Sequence, residues 1–430
     1  MYILKQKMLY LFCYLFGAEY NKFRLGQILF IFAVTFGLFL SDTIRKILVI
    51  LALLCLTKSN IRARMYLAWT SKQRMLATIF VVLFAWLLLI PLFFGVDPLV
   101  VRIRSSGWLI ELLVFIWATL LFAKDSFFLY NIRNCAIFSC SLYSIFAISH
   151  RLWLGFNIGT YSWPIIMGSW AVGTISTALL PWIIYDLIVE KLQKKIIFLY
   201  LAFMCTSIVI FLTMYTTFWL VLSIEVFMAF VIIYFFSKSH MKRFILFMIL
   251  TLAVVFCGLS FIAISYHNVY DSFIAQFTQL SFKDFDIERF TNKRYHIWLE
   301  AIEFIKMRPI LGYGWADFAE FSVEHRIHTH CSFLQAAWTG GWIAMLLLIM
   351  CLLCIVHNCL TLMKEKKQLL IVPFVVLVVI SAYITTGMLD DMFRASRRSV
   401  SLYWVSFTMM LTPLVSHSAN DNIDNKGVTK

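Results

Sequence analysis

Apolar runs long enough to cross a lipid bilayer recur along almost the whole chain of 430 residues. A helix needs about 20 mostly apolar residues to span the hydrocarbon core. Hydrophobic residues make up 62% of the chain and charged residues 14%, too apolar a balance for a water-soluble globule. We therefore predict an all-α, polytopic integral membrane protein of about 12 transmembrane helices. The predicted spans are residues 25–41, 44–57, 75–95, 107–123, 131–149, 165–188, 196–214, 216–236, 244–265, 334–357, 369–387 and 399–415.

The net charge of +15 indicates how the chain is oriented in the membrane, because short cytoplasmic loops of membrane proteins are enriched in Lys and Arg. With the N-terminus in the cytoplasm, every short basic loop falls on the inner side. These loops are residues 58–74, 190–195, 238–243 and 364–367. No motif of a nucleic-acid-binding module is present, so no nucleic-acid partner is expected.

One connection is much longer than the others and is predicted to lie on the outer side. The chain then divides into a bundle of about nine spans (1–265), an outer loop (266–333), three further spans (334–415) and a cytoplasmic tail (416–430). Within the loop, apolar residues recur at helical spacing between Arg294 and Lys306, which predicts an amphipathic helix. Asn292 is a plausible N-cap, Pro309 would end the helix, and the sequence Gly312-Tyr313-Gly314 predicts a turn.

The outer loop is rich in cationic and imidazole side chains. It holds His267, His296, His325, His328 and His330, together with Lys283, Arg289, Lys293, Arg294, Lys306, Arg308 and Arg326. Arg side chains match the oxygens of phosphate groups, so a lipid-linked diphosphate is a fitting partner at a membrane surface. The alternative is that these cations balance the acidic residues of the same loop.

Four short motifs, taken in order, resemble the C-terminal signature of the O-antigen ligase family. They are Arg294-Tyr-His-Ile-Trp298, Pro309-Ile-Leu-Gly312-Tyr-Gly314, His328-Thr-His330 and Gly340-Gly341. The spacing of His330, Cys331 and Gly341 matches the family pattern, with Cys where Asn, Ser or Gln is usual. This region is shared with O-antigen polymerases and some protein O-oligosaccharyltransferases.

The resemblance implies a C-type glycosyltransferase fold and a glycan-transfer reaction. The donor would be a glycan on undecaprenyl diphosphate and the acceptor a hydroxyl of lipid A-core. The reaction would take place at the periplasmic face of the bacterial inner membrane, among membrane lipids, with no metal and no nucleotide cofactor. Arg294 would bind the diphosphate and His330 would be the base. Without such roles, Arg294 would pair with an acidic neighbour and His330 would be an interfacial histidine.

Further residues are predicted to contact substrate. His328 lies two residues before His330; as a metal pair these two would need additional ligands. Arg151 resembles another basic residue of the family's outer loops. An outer turn adds Asp390, Asp391, Arg394, Arg397 and Arg398, which resemble family residues or form ion pairs at the end of a span.

The sequence departs from the family where an Arg is common at the outer start of a span, because Thr216 stands there. Either another cation replaces it, or the activity is altered or lost. Besides ligase activity, three alternatives stay open: an O-antigen polymerase, a transporter or flippase of lipid-linked glycan, and a family member with only an assembly role. The oligomeric state is left open.

Overall fold

The computed structural model describes residues 19–39, 42–56, 71–123, 126–153, 169–213, 215–252, 271, 294–322, 329–366, 369–389 and 397–411. Within these ranges the regular structure is helical. The α-helices are α1 (Glu19–Val34), α2 (Phe36–Phe39), α3 (Asp42–Leu54), α4 (Ser71–Phe94), α5 (Leu99–Phe122), α6 (Ser126–Trp153), α7 (Ser169–Val189), α8 (Gln193–Leu212), α9 (Thr216–Phe236), α10 (residues 241–252), α11 (Arg294–Met307), α12 (Ser332–Lys366), α13 (Ile371–Leu389) and α14 (Arg397–Met409).

Seven helices in the described part of the chain are long and apolar enough to cross a membrane. They lie within α4, α6, α7, α8, α9, α12 and α13, and α5 contributes a shorter apolar stretch, Leu109–Phe122. This confirms a polytopic helical membrane protein. Each of the twelve predicted spans overlaps a helix, but the number twelve itself stays a prediction.

Contacts between helix ends show how the chain alternates through the bundle. The loops predicted to be cytoplasmic lie at one end of the bundle. They are connected there by a cation–π contact, Arg24–Phe127, and by the salt bridges Arg133–Asp186 and Lys72–Glu365. At the other end of α4, Arg308 Nη2 donates to the Phe94 carbonyl at 3.1 Å, and Val96 N donates to the Tyr313 carbonyl at 3.3 Å. The residues following α11 therefore lie at the opposite end of the bundle from the short basic loops, and that this end faces outward stays a prediction.

The segment 294–322 and Trp338 of α12 form a small hydrophobic core, separate from the core of the bundle. Its buried members are Ile297, Ala301, Tyr313, Ala316, Phe318 and Trp338. Helix α11 confirms the predicted amphipathic helix: Ile297, Ala301 and Ile305 are buried, and Glu303 and Lys306 are exposed. The proposed cap, Asn292, lies outside the described residues. We call residues 294–322 the outer segment.

Candidate functional site

The outer segment is attached to α12 at a break in that helix. Gly340 and Gly341 have non-helical backbone angles, and the helix continues on both sides of them. The turn predicted at Gly312-Tyr313-Gly314 packs against this break. Tyr313 N donates to the Trp338 carbonyl at 2.7 Å, Gly314 N to the Thr339 carbonyl at 3.1 Å, and Trp342 N to the Pro309 carbonyl at 2.8 Å. We call this contact the glycine joint.

Two glycines of the joint cannot be replaced by a larger residue without movement. Gly312 and Gly341 have φ of +63° and +70°, in the region that L-residues with a Cβ seldom adopt. A Cβ on Gly341 would lie 2.1 Å from the Ile310 carbonyl oxygen, and a Cβ on Gly312 would lie 2.5 Å from the Trp338 carbonyl oxygen. The close approach of the two backbones therefore requires glycine on both sides.

Aromatic packing makes the joint rigid. The Tyr313 ring stacks on Trp338 with centroids 4.3 Å apart and planes 10° apart, and Trp338 Nε1 donates to the Ala316 carbonyl at 3.0 Å. Burial raises the pKa of Tyr313, and the nearby Arg308 guanidinium only partly opposes this rise. The phenol therefore stays protonated and donates to the Phe304 carbonyl at 3.2 Å.

His330 has an unusual backbone beside this joint. Its φ is +51°. Among the described residues, the others with positive φ are glycines. Such a conformation costs about 1–3 kcal/mol and persists only where the surroundings impose it, often at functional sites. The carbonyl of His330 accepts a hydrogen bond from Trp298 Nε1 at 3.4 Å. His330 is half-buried.

Arg294 is the first described residue of α11, one helical turn before Trp298. The bond from Trp298 joins this part of α11 to the backbone of His330. Arg294 is half-buried. A guanidinium favours a negatively charged ligand. The two predicted residues, 36 positions apart in the chain, thus lie on segments that are joined by the hydrogen bond from Trp298 to His330.

Arg151 lies at the end of α6, with 7% of its surface exposed. Tyr143 and Ala147 precede it by two turns and one turn and are also buried, so this face of α6 points into the bundle. Arg151 and Tyr143 interact electrostatically. Because α6 begins next to Arg24, its far end lies at the same end of the bundle as the outer segment. A buried arginine here is a stronger candidate than its sequence context indicates.

For most of the remaining predicted residues, the side chain lies outside the described part of the structure. His328, Asp390, Asp391 and Arg394 lie outside the described residues. Arg397 and Arg398 open α14, and their side chains are outside the described part. Thr216 opens α9, so a threonine does stand at the start of that helix. The residues described contain no group of three or more His, Cys, Asp or Glu side chains that could hold a metal ion.

Two buried polar residues have no role in the sequence-based predictions. Gln335 is fully buried in the first turn of α12, and it bonds to the residue before His330. Glu225 is fully buried in α9, and neither carboxylate oxygen has a hydrogen-bond partner among the described residues. A lone carboxamide or carboxylate inside an apolar run is the sequence signal for such positions.

The fold and the comparisons together define the class of protein. The chain is a multi-pass helical membrane protein. A family model described as O-antigen ligase matches residues 201–349, from the middle of α8 to the broken part of α12. This match confirms the resemblance to that family over that stretch of the chain. It includes Arg294, His330 and Gly341. No curated protein matches the chain.

Proposed function

We propose that this protein transfers a glycan from undecaprenyl diphosphate to a sugar hydroxyl of lipid A-core. The reaction takes place at the periplasmic face of the bacterial inner membrane. The observation that carries the proposal is the hydrogen bond from Trp298 to the His330 carbonyl, because it joins the helical turn that follows Arg294 to the backbone of His330. Family membership over residues 201–349 supports the same reaction class.

The proposed reaction divides the work between these two residues. The acceptor oxygen attacks the anomeric carbon of the donor glycan, and the bond from that carbon to the diphosphate oxygen breaks. Imidazole accepts protons near neutral pH, so His330 takes the proton of the acceptor hydroxyl as general base. Negative charge grows on the leaving diphosphate, and Arg294 stabilises it through charge-assisted hydrogen bonds.

Other predicted residues fit as substrate contacts in this proposal. Arg151 supplies a second, buried cation at the same end of the bundle, where Thr216 replaces the common family arginine. The turn 390–398 would add further charged groups, and His328 would lie beside His330. The chemistry so assigned requires neither a metal nor a nucleotide.

The test is complementation of a deletion strain with single substitutions. His330→Ala and Arg294→Ala should each abolish polymer on lipid A-core while polymer accumulates on the lipid carrier. His357→Ala, an exposed histidine on α12, and Arg74→Ala, an exposed arginine on α4, are the matched controls and should complement fully. Protein levels in the membrane are measured for each variant.

The lipopolysaccharide and the lipid-linked glycan of the deletion strain separate the rival activities. If the deletion strain accumulated single repeat units on the carrier, the activity would be that of a polymerase. If lipid-linked glycan stayed on the cytoplasmic leaflet, the activity would be that of a flippase. Full modification of lipid A-core by the His330→Ala variant, present at normal level, would exclude His330 as the base.

A further inference from the structure

The backbone at His330 is held by one buried side chain on α12. Gln335 Oε1 accepts a hydrogen bond from Thr329 N at 3.3 Å, and both residues are fully buried. The Thr329 hydroxyl lies 3.0 Å from the Cys331 carbonyl oxygen and 3.4 Å from Gln335 Oε1. Its single hydrogen serves the shorter contact. Gln335 therefore contributes chiefly as the acceptor for the Thr329 amide.

The residue on the other side of His330 is tied to the same helical turn. Gln335 N donates to the Cys331 carbonyl at 2.8 Å, which is an ordinary helical bond that any residue but proline would make. The side-chain bond to Thr329 is different, because only a residue with an acceptor at that reach makes it. Together with Trp298 at the His330 carbonyl, these bonds fix the chain before, at and after His330.

A non-glycine residue keeps a left-handed backbone only where its surroundings determine it. The φ of +51° at His330 sets the direction in which its imidazole leaves the chain. If the amide of Thr329 lost its acceptor, it would be a buried donor without a partner, and the peptide would rotate to find another one. The imidazole would then leave its working position.

We propose that Gln335 is a positioning residue for His330: its carboxamide oxygen fixes the left-handed backbone that aims the imidazole at the acceptor hydroxyl. This inference rests on the proposed function of His330. Gln335 Nε2 has no hydrogen-bond partner among the described residues, so the positioning role uses the oxygen end only. A role in which Nε2 donates to substrate makes the opposite prediction for a carboxylate at this position.

Three variants in the purified full-length protein test the proposal, with lipid-linked glycan as donor and lipid A-core as acceptor. Gln335→Met keeps the size and removes the acceptor; it should lower kcat about 10- to 100-fold, since small misplacements of a catalytic group have effects of this order. KM for the donor should stay near the wild-type value, and the thermal midpoint should fall only as far as the loss of one buried hydrogen bond requires. Gln335→Glu keeps an acceptor oxygen and should retain most of kcat. Thr339→Val, one turn further on the same buried face, is the control and should match the wild type.

A double variant distinguishes positioning from a general structural effect. Because Gln335 acts through His330, adding Gln335→Met to His330→Ala should cause no further loss of turnover. Wild-type kcat in Gln335→Met, or an additive loss in the double variant, would overturn the positioning role. If Gln335→Met does not accumulate as folded protein, Gln335→Glu decides: loss of turnover in a folded Gln335→Glu variant overturns the proposal. Full turnover of His330→Ala would refute the proposed function instead, so the two failures are distinguishable.

Discussion

Replacement of Gly341 by alanine should detach the outer segment from α12 while leaving the membrane bundle folded. The new Cβ would lie 2.1 Å from the Ile310 carbonyl oxygen, where ordinary contacts begin near 3.4 Å. Ile310 and Pro309 would have to withdraw by about 1.3 Å. Such a movement breaks the bond from Trp342 N to the Pro309 carbonyl and weakens the neighbouring bond from Tyr313 N to the Trp338 carbonyl.

The size of the effect follows from these contacts. Gly341 has φ +70° and ψ −178°, a combination that is essentially restricted to glycine and costs another residue about 1–3 kcal/mol. Each hydrogen bond lost adds about 0.5–1.5 kcal/mol. With the backbone strain and the one bond that breaks, the docked state of the outer segment should lose about 1.5–4.5 kcal/mol relative to the undocked state. Since about 1.4 kcal/mol corresponds to a factor of ten, local opening should increase at least tenfold.

Hydrogen–deuterium exchange measured by mass spectrometry reports this opening directly. Peptides covering residues 294–314 should lose protection in Gly341→Ala, and peptides from α7 and α13 should not. Gly107→Ala is the matched control, because a Cβ there meets nothing within 4 Å and alanine favours a helix by up to about 1 kcal/mol. Unchanged protection of the outer segment in Gly341→Ala, or equal loss in Gly107→Ala, would refute the reasoning.

Three further predictions concern stability and are checked by thermal unfolding in detergent. Trp86→Phe removes the bond from Trp86 Nε1 to the Gly340 carbonyl, 2.8 Å long, and should lower stability by about 0.5–1.5 kcal/mol; an unchanged midpoint would contradict it. Glu225→Gln should fold with normal yield, whereas Glu225→Lys should give no folded protein, because a fully buried cation without a partner is very costly; equal yields would contradict this. Burial alone would raise the pKa of Glu190, but Lys195 and two backbone N–H donors outweigh it and lower the pKa. This carboxylate should therefore stabilise the fold above its usual pKa of 4.5 and lose that contribution as the pH falls through the lowered value, so acid should narrow the gap between wild type and Glu190→Gln.

The membrane helices were predictable because a long apolar run has few alternatives. In a bilayer each backbone amide must be bonded within the segment or barrel, so a run of about 20 apolar residues forms a helix. The amphipathic spacing of Ile297, Ala301 and Ile305 predicted α11 for a similar reason: only helical geometry brings these three residues to one buried face. These features are encoded locally, within one or two turns of chain.

The geometry around His330 was not predictable, because it depends on contacts between distant residues. Trp298 and His330 are 32 positions apart in the chain, and nothing local specifies a left-handed backbone at a histidine. In the sequence Gln335 is one polar residue among apolar ones, and its hydrogen bond with Thr329 exists only in the folded chain. The glycine-containing turn and the glycine pair were each visible in the sequence, but their mutual contact belongs to the tertiary structure.

The glycine joint is made by main-chain atoms, with glycines where the two chains approach most closely. Its hydrogen bonds therefore do not depend on which side chains the exposed face of the outer segment carries. Substitutions on that face should leave the segment anchored to α12 in the same orientation.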